Sequence, residues 1–192
     1  MHFLRSSFPS PNFFDTLVQT LTNDTIRGVF HPAVIRFSPK NIKLNVYLAA
    51  VMDLYNREVT GYSVSRNIDT ELVCRALGKA LHRKRRNETP IFHSDRGSLC
   101  SSDRYQAMLA QNKLRVEHEQ SGISLWGQSD GKILCKSEKE YFYRREYAII
   151  QDVETDVFYY IEVFYKRKRL HGSLGTMSPV AYRMKKMGQK AG

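Results

Sequence analysis

Cysteine is scarce in this sequence, and the three that occur, Cys74, Cys100 and Cys135, lie far apart with no C-x-x-C pair. That spacing excludes a disulfide framework and a cysteine zinc site and leaves three ordinary thiols, partly buried. No uncharged apolar stretch approaches the length of a spanning helix, and Met1 to Pro11 lacks the apolar centre of a signal peptide. The chain therefore reads as intracellular, in the cytoplasm with the nucleoid, with no membrane partner. A phosphate loop of the G-x-x-x-x-G-K type, internal repeats and low-complexity tracts are also missing. Acidic residues are few: 19 Asp and Glu stand against 30 Lys and Arg, a formal charge of +11. The excess of cations points to a polyanion, and with membranes set aside that partner is nucleic acid.

What is present suffices for one core. A length of 192 residues with 42% hydrophobic and 11% aromatic content suits a single globular domain with ragged ends. Residues 1–45 read as irregular, broken by Pro9, Pro11, Pro32 and Pro39, with only a short possible helix over Phe13–Leu21. The apolar run Val46–Tyr55 predicts a central strand, and the alternating Val59–Val64 predicts its hairpin partner across a turn at Asn56–Glu58. Asp69 and Thr70 offer a cap for an amphipathic helix carrying Leu72, Val73, Ala76, Leu77, Ala80 and Leu81, which ends in the basic run Arg83–Arg86.

Ile91–Ser94 predicts the next strand, and Ser101–Asp103 starts a helix with Tyr105, Met108 and Leu109 inward. Arg115–His118 suggests a short strand, and Ile133, Leu134, Ser137 and Tyr141 share the face of a further helix. The clearest helix places Val153, Val157, Tyr160, Ile161 and Phe164 in one stripe and closes at Gly172. A mixed β-sheet flanked by α-helices, an α/β fold, follows from this order. Asp95 stands where the strand Ile91–Ser94 stops, at the sheet's rim, where ligands and ions have access. The same residues also suit an Asx-type turn ahead of a helix.

Three stretches, YLAAVMDLYNREVTGYSVS (47–65), IFHSDRGS (91–98) and YIEVFYKRKRLHGSLGTMSPVAY (160–182), together resemble the integrase core of bacterial insertion-sequence transposases, which is similar in turn to retroviral integrases. The resemblance covers residues 46–182 and leaves 183–192 as a basic tail. It implies an RNase H-like fold. It also implies DNA as partner, homo-oligomers or association with an intact transposase, and cleavage and joining of DNA through two divalent ions, Mg2+ or Mn2+, held by two aspartates and a glutamate. Two ions a few ångströms apart serve the attacking and leaving oxygens of such a reaction, and hard carboxylate ligands must bridge them.

Asp95 matches the family's second aspartate. The place of the first falls on Pro32–Phe37, which holds no carboxylate, and Asp24 is too far from the hairpin to replace it. Asp53 matches a structural residue of the family's second strand. The place of the glutamate falls on Gly131, with Asp130 one residue away, about 100° round a helix. Asp130 serves as a metal ligand only if that helix start shifts, and otherwise as an N-cap. A copy lacking these ligands reads as catalytically impaired, and a DNA-binding remnant is the alternative. Another nuclease using Asp95, Asp53 and Asp130 is a third reading, which requires these acids to converge. Between Val163 and Gly192 there are eight Lys or Arg and no acid; Lys166, Arg167, Lys168, Arg169 and His171 are the candidate DNA contacts, or else a solvated helix end.

Overall fold

The computed structural model describes residues 29–37, 45–83, 91–94, 99–118, 141–142, 145, 147 and 149–189. Five strands form one sheet in the order β3-β2-β1-β4-β5. They are β1 (Val29–Phe37), β2 (Val46–Asp53), β3 (Glu58–Ser65), β4 (Ile91–Ser94) and β5 (Arg115–His118). The first three pair antiparallel, whereas β1, β4 and β5 run parallel. Helices α1 (Thr70–His82) and α2 (Asp103–Gln111) precede β4 and β5, and α3 (Ile150–Phe158), a π-helical segment Tyr159–Tyr165 and α4 (Pro179–Gly188) follow.

The strand β1 lies inside the stretch expected to be irregular, and it, not β2, is the middle strand. Its sequence hides it because Pro32 lacks a ladder donor, a residue type normally kept to sheet edges. Eight consecutive pairs with β2, Phe30↔Asp53 to Phe37↔Val46, hold it in place regardless. On the other side its pairing with β4 covers only Val29↔Ile91 and Phe30↔Phe92, so that ladder ends two residues before Pro32.

β2 reads as a continuous apolar run because both of its faces are covered. Val46, Leu48, Ala50 and Met52 pack against Val153, Val157, Tyr160 and Ile161. Ala49 and Val51 pack on the opposite side against α1 and α2, through Leu72, Ala76, Leu77, Tyr105 and Leu109. Asp69 caps α1 as expected, accepting a bond from the Leu72 N–H at 2.8 Å.

The ladder between β2 and β3 shifts register between Val51 and Met52, leaving Thr60 as the extra residue of a bulge. Its hydroxyl donates to the Val51 carbonyl at 3.0 Å, supplying a partner the disrupted ladder withholds. Next to it, Gly61 lets α1 cross β3 in backbone contact: a Cβ there would lie 2.3 Å from the Ala76 carbonyl oxygen and 2.4 Å from the Ala80 nitrogen.

The last helix departs from the expected stripe. Val153, Val157, Tyr160 and Ile161 are buried, but Phe164 is exposed and Tyr165 takes the inward place. The chain is π-wound here, with the Lys166 N–H bonded to the Ile161 carbonyl five residues back at 3.0 Å. The wider turn carries the residue three positions past Ile161 away from the core and brings the fourth to it. Residues 183–188, expected as tail, belong to α4.

Candidate functional site

β4 ends at Ser94, so Asp95 follows the carboxyl end of a strand set between two parallel neighbours, where ligands of α/β sheets gather. Asp95 itself lies outside the described residues, as do Asp24, Gly131, Asp130 and the helix expected around Ile133 and Leu134. The strand ahead of the hairpin, the family's place for the first aspartate, is β1, and VFHPAVIRF contains no Asp or Glu.

Asp53 lies on β2, two strands from β4. It sits at the turn end of β2, paired with Phe30, which is in turn level with Phe92 of β4. Its carboxylate accepts the Tyr55 N–H at 2.9 Å and so shapes the hairpin turn. The three-acid nuclease reading needs Asp95 and Asp130 beside Asp53, and both lie outside the described residues. Among the described residues, no group of three or more His, Cys, Asp or Glu comes together to hold a metal ion.

The basic candidates at the end of the π-helical segment separate into two kinds. Arg167 and Lys168 face solvent, and Arg169 is half-buried with its guanidinium 5.7 Å over the Tyr165 ring and donating to the Tyr160 hydroxyl at 3.3 Å. Lys166 and His171 are turned inward, 2% and 5% exposed. The His171 ring meets the Tyr165 ring edge-on at 5.1 Å. Of the candidate DNA contacts, Lys166 and His171 are thus buried, while Arg167 and Lys168 are open to solvent.

The burial of Lys166 is compensated by a carboxylate that sequence reasoning passed over. Glu162 Oε1 accepts from Lys166 Nζ at 2.8 Å and from Arg83 at 3.1 Å. Arg83 follows α1 on one face of the sheet and Glu162 lies on the other, so this pair ties the two helical layers around the edge strand β3. Lys79 from α1 reaches the same edge, 5.5 Å from the Tyr62 ring. Burial, with the Glu162 charge added, pushes the Tyr62 hydroxyl up to about 12. The i,i+4 spacing of Glu162 and Lys166 was the available sequence signal; the reach of Arg83 had none.

Beyond Arg169 the chain closes a compact loop. His171 bridges Met177, and the Leu174 and Thr176 N–H groups both bond the His171 carbonyl, at 3.1 and 3.0 Å. Gly175 takes the left-handed conformation this loop requires, φ 63°. α4 then starts on the Ser178 cap and docks at the hairpin turn, with Arg183 2.9 Å from Glu58 and the Tyr182 ring 6.0 Å from that of Tyr55.

Residues 30–124 match the Integrase core domain family, beginning in β1 and so taking in part of the stretch the sequence reading left outside the core. The chain is 34% identical over 143 residues to the transposase InsF for insertion sequence IS3A of Escherichia coli, covering 74% of this chain and 49% of that one. It is 28% identical over 138 residues to an uncharacterized transposase-like protein of Haemophilus influenzae, covering 72% of this chain and 63% of the relative. The chain thus spans about half the length of the Escherichia coli transposases it matches.

Among solved structures, the catalytic domain of Mos1 mariner transposase superposes with a TM-score of 0.59 at 13% identity, over 84% of this chain and 86% of that domain. The HTLV-2 integrase catalytic core superposes with a TM-score of 0.58 at 12% identity, over 83% and 97%. These likenesses establish the RNase H-like fold. Fold, order of motifs and sequence identity agree: residues 30–124 form an integrase core domain, in a chain similar to bacterial insertion-sequence transposases.

Proposed function

We propose that this chain binds DNA as an integrase-core subunit in which the family's metal-dependent strand cleavage and transfer is impaired. The observation that carries this reading is β1: the strand expected to supply the first carboxylate ligand has none along Val29–Phe37. Two-metal phosphodiester chemistry needs hard oxygen ligands that set the spacing of the ions. Mg2+ or Mn2+ would be left to Asp95, with Asp130 one helical position out of place. The HTLV-2 integrase core is described in complex with magnesium, which supports divalent ions as the metal of this fold rather than of this chain.

Arg167 and Lys168, exposed beside a chain end without acids, support phosphate contact. The second reading is a remnant that joins intact transposase subunits in homo-oligomer fashion and occupies DNA without turnover. It rests on the same strand, since a folded subunit lacking a ligand keeps its surfaces. Fluorescence anisotropy with duplex DNA in EDTA tests the binding: affinity is retained without metal and falls steeply with salt. Replacing both Arg167 and Lys168 by alanine lowers the log–log salt slope by about 1.8, near 0.9 per phosphate contact. Binding that requires Mg2+, or a slope unmoved by the double substitution, contradicts the proposal.

A further inference from the structure

The solvent face of α1 carries one sign of charge. Of its 13 residues, Thr70–His82, the exposed ones are Arg75, Lys79 and His82, and the exposed Arg83 follows directly. Residues 72–87 hold six Lys or Arg and no Asp or Glu. The two acids at the start of the helix are already engaged: Asp69 accepts the Leu72 N–H at 2.8 Å, and Glu71 pairs with Arg104 of α2. A solvated helix face usually mixes both signs.

Arg75, Lys79 and Arg83 stand at i, i+4 and i+8, a row about 12 Å long with a cation every 6 Å or so. Like charges at this spacing oppose the helix that carries them, and an anion laid along the row reverses that. Each side chain is also set in place by a neighbour. Arg75 Nε donates to the Ser63 hydroxyl at 3.1 Å, Lys79 Nζ lies 5.5 Å from the centre of the Tyr62 ring, and Arg83 donates to Glu162 at 3.1 Å. A guanidinium has five donors, so one such bond leaves others for a phosphate. The row thus follows the edge strand β3 with its side chains ordered in advance, which lowers the entropy lost on binding.

We infer that this row is a second phosphate-binding face, which grips the backbone of duplex DNA without regard to sequence. The inference rests on the reading that the chain binds DNA, and adds Arg75, Lys79 and Arg83 to Arg167 and Lys168. A straight row of cations on a convex helix suits a linear polyanion, whereas a single small anion needs donors that converge. In the sheet, β3 is three strands from β4, about 14 Å, so the row holds DNA away from the strand end that Asp95 follows.

Fluorescence anisotropy of the full chain with duplexes of unrelated sequence, in EDTA over a salt series, tests it. Arg75→Ala with Lys79→Ala lowers the log–log salt slope by about 1.8 on every duplex, near 0.9 per phosphate contact. Arg75→Lys with Lys79→Arg keeps the wild-type slope. Joined to alanine at Arg167 and Lys168, the decrease reaches about 3.6, because separate contacts add. Circular dichroism and urea midpoints report the competing case, in which these cations serve the fold alone. A midpoint that falls while the slope holds overturns the inference, as does a slope that changes on one sequence only. Wild-type DNA binding with an unmoved slope in the Arg75, Lys79 variant overturns this inference alone; a wild type without DNA affinity overturns the DNA-binding reading with it.

Discussion

Gly61→Ala unfolds this domain at temperatures where the wild type is stable. The added Cβ would meet the Ala76 carbonyl at 2.3 Å, the Ala80 nitrogen at 2.4 Å and the Ala80 Cα at 2.9 Å. These are helix backbone atoms, so α1 as a whole must lift from β3, uncovering Val51, Leu77 and Ala80 in the core behind it. Overpacking of this kind costs about 3 kcal/mol or more, a large share of the roughly 5–15 kcal/mol that holds a domain folded. Gly172→Ala is the control, because a Cβ there has nothing within 4 Å and should change stability by less than about 0.5 kcal/mol. Urea denaturation of the two variants makes the comparison.

Glu162→Gln is the second severe change. It leaves the Lys166 ammonium, 2% exposed, without its carboxylate. Breaking one side of a buried pair costs about 3–5 kcal/mol, and the partial exposure of Glu162 argues for the lower end. Lys166→Met is mild by contrast. Burial outweighs pairing for this lysine and draws its pKa below the ordinary 10.5, so the charge is held at a net cost that methionine removes. Glu162 behaves oppositely. Burial raises its pKa, but the bonds and charges of Lys166 and Arg83 outweigh that and hold it below the ordinary 4.5. A carboxylate with a lowered folded pKa contributes stability that is present above its unfolded value and lost as pH falls through the folded one. Wild-type stability should therefore decline in acid with a component that Glu162→Gln lacks, measurable as the difference between their urea midpoints from neutral pH downward.

Much of this fold was legible because local signals agreed with tertiary placement. Asp69, the Leu72–Ala80 periodicity and the alternation of Val59–Val64 each report a local rule that the packed structure keeps. β1 was not legible, since Pro32 argues against a middle strand and its stability comes from a ladder donated by β2. The exchange of Phe164 for Tyr165 follows from a π-helical turn, for which YYIEVFY carries no sequence mark. Lys166 reads as part of a solvated cationic run; Glu162 four residues before it was legible as a partner by spacing, but only the folded chain brings Arg83 to that carboxylate from the other face of the sheet. At the site, the absence of an acid from the strand ahead of the hairpin could be read from composition once the family's spacing was applied. The structure added the strand on which that absence lies.

The most direct measurement is turnover. Purified chain is incubated with duplex DNA and Mg2+ or Mn2+, and cleavage and strand-transfer products are resolved on a sequencing gel, with Asp95→Ala in parallel. The β1 sequence predicts DNA binding with no product above background in either protein. Robust cleavage or strand transfer by the wild type, abolished in Asp95→Ala, would show a working metal site and contradict the account.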